Sequence, residues 1–268
     1  MVNKYIKNFF KYIPLLFLLT SRDFKLKYRR SILGVFWSML NPLLIMIVVT
    51  SVFSLILKIR IIDIEMPFAV FYITGSLIFN FFSEATSSSM TAVVANSSLI
   101  QKVYLPKYIF IFEKCFFSLI NMIFSSVAVL FVVFYYVVKG EVKLHLTIFL
   151  IFIPMIYTFL FSIGVGLILA TFTVFFRDII HIWGVVLTIW LYLTPIVYPI
   201  EILESSNIDW VVRVNPVFYF VDDLRSLMIL GRLPSFDHII FESCVCLFVL
   251  VFGVLLFKKA QDRFILHM

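Results

Sequence analysis

The chain has 268 residues, of which 63% are hydrophobic and only 14% are charged, against about 25% charged residues in typical soluble domains. So few charged side chains cannot cover a soluble domain of this size, and the composition therefore predicts an integral membrane protein. The net charge of +7 does not indicate a nucleic-acid partner, because the basic residues cluster at the ends of apolar runs rather than in a basic domain.

The first predicted element is an amphipathic helix within 1–31. On a helical wheel Lys4, Lys7 and Lys11 share one face, and apolar residues such as Phe9 lie broadly opposite. This pattern predicts a helix that lies in the headgroup plane of a membrane. A cleaved signal peptide is disfavoured, because the apolar run 13–19 is short and no small-residue cleavage site follows it.

Six apolar runs are candidate membrane-spanning helices, since a span needs about 20 mostly apolar residues. They are 32–57, 67–83, 109–138, 144–173, 180–200 and 239–257. The predicted fold is therefore an all-α membrane protein in a single domain, 1–268, with an interfacial helix (1–31), a six-span bundle (32–257) and a tail (258–268). In the fourth span Ser162, Gly166 and Ala170 recur every four residues, which predicts close helix packing there.

An even number of spans places both termini on the same side of the membrane. The segments predicted on that side carry 15 of the 22 Lys and Arg residues. Because basic residues accumulate in cytoplasmic segments, this bias places both termini in the cytoplasm.

The predicted spans carry no ionisable residue at their centres. Glu84, Glu113 and Glu242 are assigned to span ends, so the sequence does not indicate the buried relay that proton-coupled carriers use. The phosphate-binding loop pattern G-x-x-x-x-G-K-[ST] does not occur in the sequence. If the protein drives transport, its energy is therefore expected to come from another chain.

Neither an enzyme nor a metal site is predicted. Asp222 and Asp223 form the most enzyme-like feature, of the kind that membrane glycosyltransferases use with a metal. No third ligand is evident near them in the sequence, which favours a role at a helix start or on a polar face. Cys115, Cys244 and Cys246 lack metal-ligand spacing and are predicted to be core residues.

Two segments between the spans need a structural role. Segment 96–108 is too short to span and too apolar for a free loop. It is either a short helix that docks into a groove on a partner or a simple interfacial turn. Segment 194–234 is punctuated by Asn215-Pro216 and Gly231, which predicts short re-entrant or interfacial helices between the fifth and sixth spans.

Five motifs, in this order, resemble the permease subunit of bacterial type-2 ABC exporters that move lipid-linked polysaccharides such as O antigen, capsule or wall teichoic acid. The motifs are YRRSILGVFWSMLNPLL at 28–44, NSSLIQKVYLPKY at 96–108, FFRDI at 175–179, TPIVYP at 194–199 and NPVFYFVDDLR at 215–225. The resemblance covers essentially the whole chain. Two alternatives stay open, namely a type-2 exporter of a small drug or lipid, and a membrane glycosyltransferase.

The resemblance implies a multi-pass protein of the bacterial plasma (inner) membrane that works as a homodimer with two separate ABC ATPase subunits. ATP and Mg would be held by those partners, and no cofactor by this chain. The first cytoplasmic loop would dock on the ATPase, and the N-terminal helix would contact it as well. The implied docking residues are Asn96, Ser98, Leu99, Ile100, Val103, Tyr104 and Leu105. The implied outer gate includes Pro195, Pro199, Asn215, Pro216, Asp222 and Asp223.

The implied substrate is a long glycan or polyol phosphate on an undecaprenyl diphosphate carrier. Its diphosphate needs cations at the inner headgroup level, and the candidates are Lys27, Arg29, Arg30 and Arg177. Topology anchoring is the alternative for the first three, and an ion pair with Asp178 is the alternative for Arg177. Sugars stack on aromatic rings, and the candidate channel aromatics are Tyr72, Phe79, Phe82, Tyr157, Phe161, Tyr192 and Tyr198.

Overall fold

The computed structural model describes residues 11–29, 31–53, 66–103, 105–200 and 209–266, which contain helices and no strand. The described residues form ten α-helices, and short 3-10 helices cover Leu146–Leu150 and Gln261–Leu266. A π-helical turn, Ser226–Leu230, follows the ninth helix. The α-helices are α1 (Ile13–Tyr28), α2 (Phe36–Ser51), α3 (Phe68–Ala95), α4 (Ser97–Lys102), α5 (Tyr108–Val138), α6 (Phe152–Phe175), α7 (Ile179–Leu193), α8 (Asp209–Val214), α9 (Pro216–Arg225) and α10 (Phe236–Ala260).

Four helical segments in the described part of the chain are long and apolar enough to cross a membrane. They are α3, α5, α6 with the 3-10 turn before it, and α10 with the turn after it. Helices α2 and α7 are apolar but shorter, with 16 and 15 residues. The all-helical fold with several membrane spans is therefore confirmed, and the count of six stays a prediction.

Helix α3 is longer than the sequence predicted, since it continues to Ala95 rather than ending near residue 83. Glu84 and the serines that follow it suggested a span end. They are tolerated because α3 is the central helix of the bundle and packs against α5, α6, α9, α2 and α7. Its hydroxyls also find partners within the helix, as when Thr86 Oγ1 donates to the Phe82 carbonyl at 2.7 Å. Glu84 therefore lies inside α3, 11 residues before its last residue, Ala95, rather than at the end of a helix.

The two ends of the bundle are about 40 Å apart, which is the length of the 28-residue α3 at 1.5 Å per residue. This length matches a bilayer with its headgroup regions, about 40–45 Å. We call one end the α4 end, where Lys107 donates to the Gln261 carbonyl and joins the start of α5 to the C-terminal turn. We call the other the α9 end, where Thr147 Oγ1 donates to the Leu227 carbonyl at 2.7 Å.

Helix α1 lies against α5 and leaves much of its own apolar surface exposed. The Phe24 and Phe117 rings are 4.6 Å apart between centroids, and Lys114 forms an ion pair with Asp23. These contacts place α1 beside the bundle, as expected for a helix at an interface. Lys4 and Lys7, on which the amphipathic pattern partly rests, lie outside the described residues.

Glycines let α6 pack closely against two neighbouring helices. A Cβ built on Gly166 would lie 2.8 Å from Cβ of Ser89 on α3, which confirms the close packing predicted for this stretch. Toward α10, a Cβ built on Gly253 would lie 2.6 Å from the carbonyl oxygen of Gly164. The α6–α10 contact is therefore a backbone-to-backbone approach with no room for a methyl group.

We expect Gly253→Ala to destabilise the protein by about 1–3 kcal/mol, because the added methyl forces α6 and α10 apart. The measurement is the melting temperature of the purified full-length chain in lipid nanodiscs. Gly184→Ala is the matched control, since a Cβ there meets nothing within 4 Å among the described residues. Equal melting temperatures for the two variants would contradict the close approach.

Candidate functional site

A cavity of about 430 Å³ lies between the C-terminal end of α1 and helices α2, α3 and α5. This volume falls within the range of about 300–1,000 Å³ that is typical of ligand sites. On α3 its wall runs from Ile73 to Glu84, which corresponds to about 16 Å along the helix axis. The cavity is therefore elongated, with its long direction parallel to the bundle.

The end of the cavity nearer to α1 is polar and centres on Glu84. Its Oε1 accepts hydrogen bonds from Lys27 Nζ and from Asn121 Nδ2, both at 3.0 Å. Next to this network, the Ser125 hydroxyl donates to the Ser38 carbonyl at 2.8 Å. One carboxylate thus joins α1, α3 and α5 at the mouth of the cavity.

Helical spacing explains why three apolar helices each present a polar face to this cavity. Residues three or four positions apart lie on the same side of a helix. The polar groups with this spacing that line the cavity are Ser38 and Asn41 on α2, Asn80 and Glu84 on α3, and Asn121 and Ser125 on α5. The polar lining therefore corresponds to three pairs of polar residues in the sequence, each pair within an apolar run.

The opposite end of the cavity is apolar. Toward the α9 end its wall consists of aliphatic side chains, among them Ile45, Ile73, Leu77 and Val129. The cavity therefore offers hydrogen-bonding groups at one end and hydrocarbon at the other, which is the pattern that an amphiphilic ligand requires.

The structure shows what surrounds the basic residues near α1. Lys27 is paired with Glu84 rather than free, so the carboxylate offsets its charge, and a role toward a diphosphate stays a prediction. Arg29 is exposed, and Arg30 lies outside the described residues. Carboxylate and amide groups are instead suited to binding sugar hydroxyls, since together they accept and donate hydrogen bonds.

Arg177 does not join this site. It lies in the turn between α6 and α7, where it borders a shallow depression with Val94 and Ala95 close to the α4 end. Arg177 and Asp178 are both exposed, and within the described ranges no ion pair joins them. The predicted ion pair is therefore absent from this structure.

The predicted channel aromatics divide into two groups. Phe79, Phe82 and Phe161 are at most 5% exposed, and the Phe82 and Phe161 rings stack at 5.6 Å within the core. In this conformation these three rings cannot face a translocation path, because neighbouring side chains cover them. Channel lining stays a prediction for the four tyrosines, which are half-buried or exposed, namely Tyr72, Tyr157, Tyr192 and Tyr198.

At the α9 end, Asn215 connects two of the sequence motifs. Its Oδ1 caps α9 by accepting from the Val217 amide at 3.0 Å, and also accepts from Trp190 Nε1 at 2.7 Å. Its Nδ2 donates to Thr194 Oγ1 at 2.9 Å. The N-terminal end of α9, with the buried Pro216, is thereby fixed to the C-terminal end of α7.

Arg225 fixes the other end of α9. Its guanidinium donates to the Pro195 carbonyl at 2.8 Å and to the Phe71 carbonyl at 2.9 Å, and its centre lies 3.6 Å from the centroid of the Phe71 ring. With Arg225 only 5% exposed, these bonds hold α9 inside the bundle, against α3. Pro195 is thus buried under α9 and Pro199 is half-buried, and their part in an outer gate stays a prediction.

The structure overturns the view that Asp222 and Asp223 lack a third ligand. His238 at the start of α10 lies beside them, with its Nδ1 3.2 Å from Asp223 Oδ1. Ligand atoms of the three residues all lie within 4.8 Å of one another. Sequence analysis missed this group because the turn between α9 and α10 brings it together.

The segment predicted to dock on an ATPase forms the short helix α4, which favours a docking helix over a simple turn. Asn96 donates from Nδ2 to the Ala92 carbonyl, and Ile100 is only 6% exposed, so both face their own chain rather than a partner. Ser98 and Val103 are exposed, while Leu99 and Leu105 are half-buried against the core. Tyr104 lies outside the described residues.

Comparison with known proteins identifies the family. The model of the family described as "ABC-2 type transporter" matches residues 14–229. The chain belongs to the ABC-2 type transporter family. Members of this family are membrane subunits of transporters and work with ABC ATPases. The resemblance read from five motifs is therefore confirmed at the level of the family.

Several relatives of this ABC-2 chain carry the name "O-antigen export system permease protein RfbA". Two are from Klebsiella pneumoniae, 26% and 24% identical over 250 residues, which cover 93% of this chain and 93% of each relative. A third, from Myxococcus xanthus, is 25% identical over 261 residues, which cover 97% of both chains. The similarity therefore extends over nearly the whole length of each protein.

Sequence reasoning missed the residues at the centre of the ABC-2 chain's cavity, namely Glu84, Asn80 and Asn121. Glu84 was assigned to a span end, and the two asparagines were not singled out. The signal that was available is the four-residue spacing of Asn80 with Glu84 inside an otherwise apolar helix.

Proposed function

We propose that this chain is the membrane subunit of an ATP-driven exporter of undecaprenyl-diphosphate-linked polysaccharide, such as O antigen, capsule or teichoic acid. It works as a homodimer with two ABC ATPases in the bacterial plasma membrane, with both termini in the cytoplasm. The observation that carries the proposal is the cavity with one polar and one apolar end. The relatives named for O-antigen export support the same substrate class.

The polar end of the cavity suits a sugar better than a small ion. The exposed Asn80 amide donates and accepts hydrogen bonds, and the Glu84 carboxylate, held by Asn121, accepts them, which matches the paired donors and acceptors of neighbouring hydroxyls. Trp37 also lines the cavity and is 45% exposed, so its ring is available to the C–H face of a sugar. The Glu84 carboxylate favours hydroxyl donors, and Lys27 beside it offsets its negative charge.

The apolar end of the cavity suits the carrier lipid. Its aliphatic wall continues directly from the polar end, so a single amphiphile could place a sugar near Glu84 and a hydrocarbon chain near Ile73 and Val129. Helix α2, which forms one wall, has no buried residue in the described structure, and its exposed apolar face is available to lipid or to the second copy in the dimer.

The α4 end is the proposed contact with the ATPases. Exposed Val103 follows α4, and the C-terminal turn lies beside the same end through Lys107. A movement imposed on α4 would pass directly into α3 and α5, because α4 is the connection between them. These are the two helices that carry Glu84 and Asn121.

We expect Val103→Asp to reduce co-purification of the ATPase at least tenfold, because a charge replaces an apolar contact in the proposed docking surface. The measurement is the amount of ATPase retained when the tagged permease is purified from its own host. Val138→Asp is the matched control, since Val138 is 72% exposed but lies at the far end of α5. Full retention of the ATPase by the Val103 variant would contradict docking at this surface.

Export of a small amphipathic drug or of a phospholipid is the second candidate function. The apolar half of the cavity favours it, because any molecule with one hydrocarbon end would occupy that wall equally well. A glycan exporter, in contrast, also needs the polar half of the cavity to bind sugar hydroxyls. The two candidate functions are therefore distinguished by whether loss of the chain blocks the transport of glycan or the transport of lipid.

The experiment that tests the proposal is deletion of the gene for this chain in its own host. We expect the surface polysaccharide to disappear and the lipid-linked glycan to accumulate in the inner leaflet, and we expect the wild-type gene to restore both. An unchanged surface polysaccharide would overturn the proposal. A changed leaflet distribution of phospholipid together with normal polysaccharide would support the second candidate.

A further inference from the structure

A second cluster of polar side chains lies at the α9 end, separate from the cavity. Helix α9 supplies Asp222 and Asp223, and α10 supplies His238. The distance from His238 Nδ1 to Asp223 Oδ1 is 3.2 Å, and the ligand atoms of all three residues lie within 4.8 Å of one another. An acidic pair and an imidazole nitrogen therefore converge between two helices.

The local structure fixes the orientation of the imidazole. Ser235 caps α10, where its hydroxyl accepts from the His238 amide at 3.2 Å. The His238 ring also packs edge-on against Tyr219, with 4.8 Å between ring centroids. These contacts direct Nδ1 toward Asp223 rather than toward open space.

Glu242 is a third acidic group, and it lies beside the cluster. It lies four residues after His238, on the same side of α10, and its carboxyl interacts with that of Asp223. Glu242 is fully buried, and Asp223 is 1% exposed. When both groups are ionised, the two oxygens of Glu242 and Oδ2 of Asp223 have no hydrogen-bond donor among the described residues.

Buried carboxylates without donors are costly, so the cluster favours a positive ligand or a bound proton. The Arg225 guanidinium attracts Asp222 electrostatically, but its hydrogen bonds go to the carbonyls of Pro195 and Phe71. A proton shared between Asp223 and Glu242 would relieve part of the repulsion. It would not account for the convergence of the His238 nitrogen and the Asp222 carboxylate on the same point.

We propose that Asp222, Asp223 and His238, with the buried Glu242 carboxyl beside Asp223, form a binding site for a divalent transition-metal cation of the Zn²⁺ or Mn²⁺ class. The imidazole ligand selects against Ca²⁺ and Mg²⁺, which prefer oxygen ligands alone. In a tetrahedral site with bonds of about 2.1 Å, ligand atoms lie about 3.4 Å apart. Asp223 Oδ1 and His238 Nδ1, which share a hydrogen bond at 3.2 Å here, need to move apart by only about 0.2 Å to reach this spacing.

The bound ion would join α9 to α10 across the turn between them. The buried Asp223 carboxylate would gain a positive partner, and the net negative charge of the cluster would be reduced. Together with Asn215 and Arg225, the ion would provide a third attachment of α9 to the rest of the bundle.

The test uses the full-length chain with a tag that contains no histidine, stripped with EDTA and held in lipid nanodiscs. ZnCl₂ and MnCl₂ are added in separate titrations, and retained metal and melting temperature are measured after desalting. We expect about one retained ion per chain and a rise in melting temperature of about 5 °C at saturation. We expect His238→Asn, Asp223→Asn and Glu242→Gln each to weaken metal binding at least tenfold.

Asp237→Asn is the matched control, because it removes the same charge from an exposed position next to His238 and should leave metal binding unchanged. His238 is only half-buried, so the His238 variant keeps the test valid if the buried acidic variants fail to fold. The proposal is overturned if the wild-type chain retains no metal, or if the His238 variant binds metal as tightly as wild type. It is also overturned if the Glu242→Gln variant melts at a higher temperature than wild type and neither of these two proteins binds metal. That result would mean that a proton shared between Asp223 and Glu242 is enough to explain the cluster.

Discussion

Replacing Arg225 with methionine is expected to abolish export and to lower the melting temperature of the protein by about 5–15 °C. The Phe71 and Pro195 carbonyls that accept from the guanidinium would lose a charged donor. The Phe71 carbonyl keeps the Thr74 hydroxyl as a donor at 3.1 Å, but losing two buried hydrogen bonds from a charged donor costs about 2–5 kcal/mol. This cost corresponds to a shift of this size in a chain of this length. Because Arg225 joins α9 to α3, the effect is expected on transport as well as on stability.

Two further variants make the Arg225 prediction specific. A Cβ on Gly75 would lie 2.6 Å from Arg225 Nη2, so Gly75→Ala should displace the guanidinium and give a smaller loss of the same kind. Arg263→Met removes an exposed arginine and should change the melting temperature little. If Arg225→Met melts at the wild-type temperature, α9 is not held by these hydrogen bonds.

Glu84→Gln is expected to lower glycan export at least tenfold without changing membrane insertion or ATPase binding. The substitution keeps the shape of the side chain and removes the charge that strengthens its hydrogen bonds. A charge-assisted hydrogen bond contributes about 1.5–3 kcal/mol, and each 1.4 kcal/mol is about tenfold in binding. Export is measured as surface polysaccharide in the deletion strain that carries each variant.

The control for Glu84 is Glu141→Gln, which neutralises an exposed carboxylate in the connection between α5 and α6. A second comparison separates substrate binding from the ion pair with Lys27. If Glu84 serves only to hold Lys27, then Lys27→Met should reduce export as much as Glu84→Gln does. We expect the Lys27 variant to retain more export, and equal losses would contradict a direct role of Glu84 with the sugar.

The sequence was sufficient for features that depend on local pattern. Apolar runs predicted the helical membrane fold, and the four-residue spacing around Gly166 predicted a close helix contact. The segment before Pro106 was too apolar for a loop, and it forms α4. Each of these conclusions rests on residues that are near one another in the chain, where helical periodicity alone decides which face they share.

The features that the sequence did not reveal depend on contacts between distant helices. Arg225 donates to the carbonyl of Phe71, 154 positions away. Lys27 meets Glu84 across 57 positions. Such pairs are set by the register in which helices pack, and nothing in the local pattern specifies it. Glu84 was misplaced for a related reason, because a polar residue that faces a cavity resembles the end of a span when only hydropathy is considered.

The aromatic residues show the same limit. Aromatic residues make up 18% of the chain, and composition does not separate rings that fill the core from rings that face a path. Phe82 and Phe161 pack together with Trp190, so they stabilise the junction of α3, α6 and α7. Only tertiary structure distinguishes them from the more exposed Tyr192.

The most direct measurement reconstitutes this chain in proteoliposomes, with and without the ABC ATPase from the same host. Lipid-linked glycan is loaded in one leaflet, and its appearance in the other leaflet is followed with an externally added glycan-cleaving enzyme. The account predicts movement that requires the chain, the ATPase and ATP together, and that falls at least tenfold with Glu84→Gln. Movement of phospholipid but not of glycan, or ATP hydrolysis by this chain alone, would contradict it.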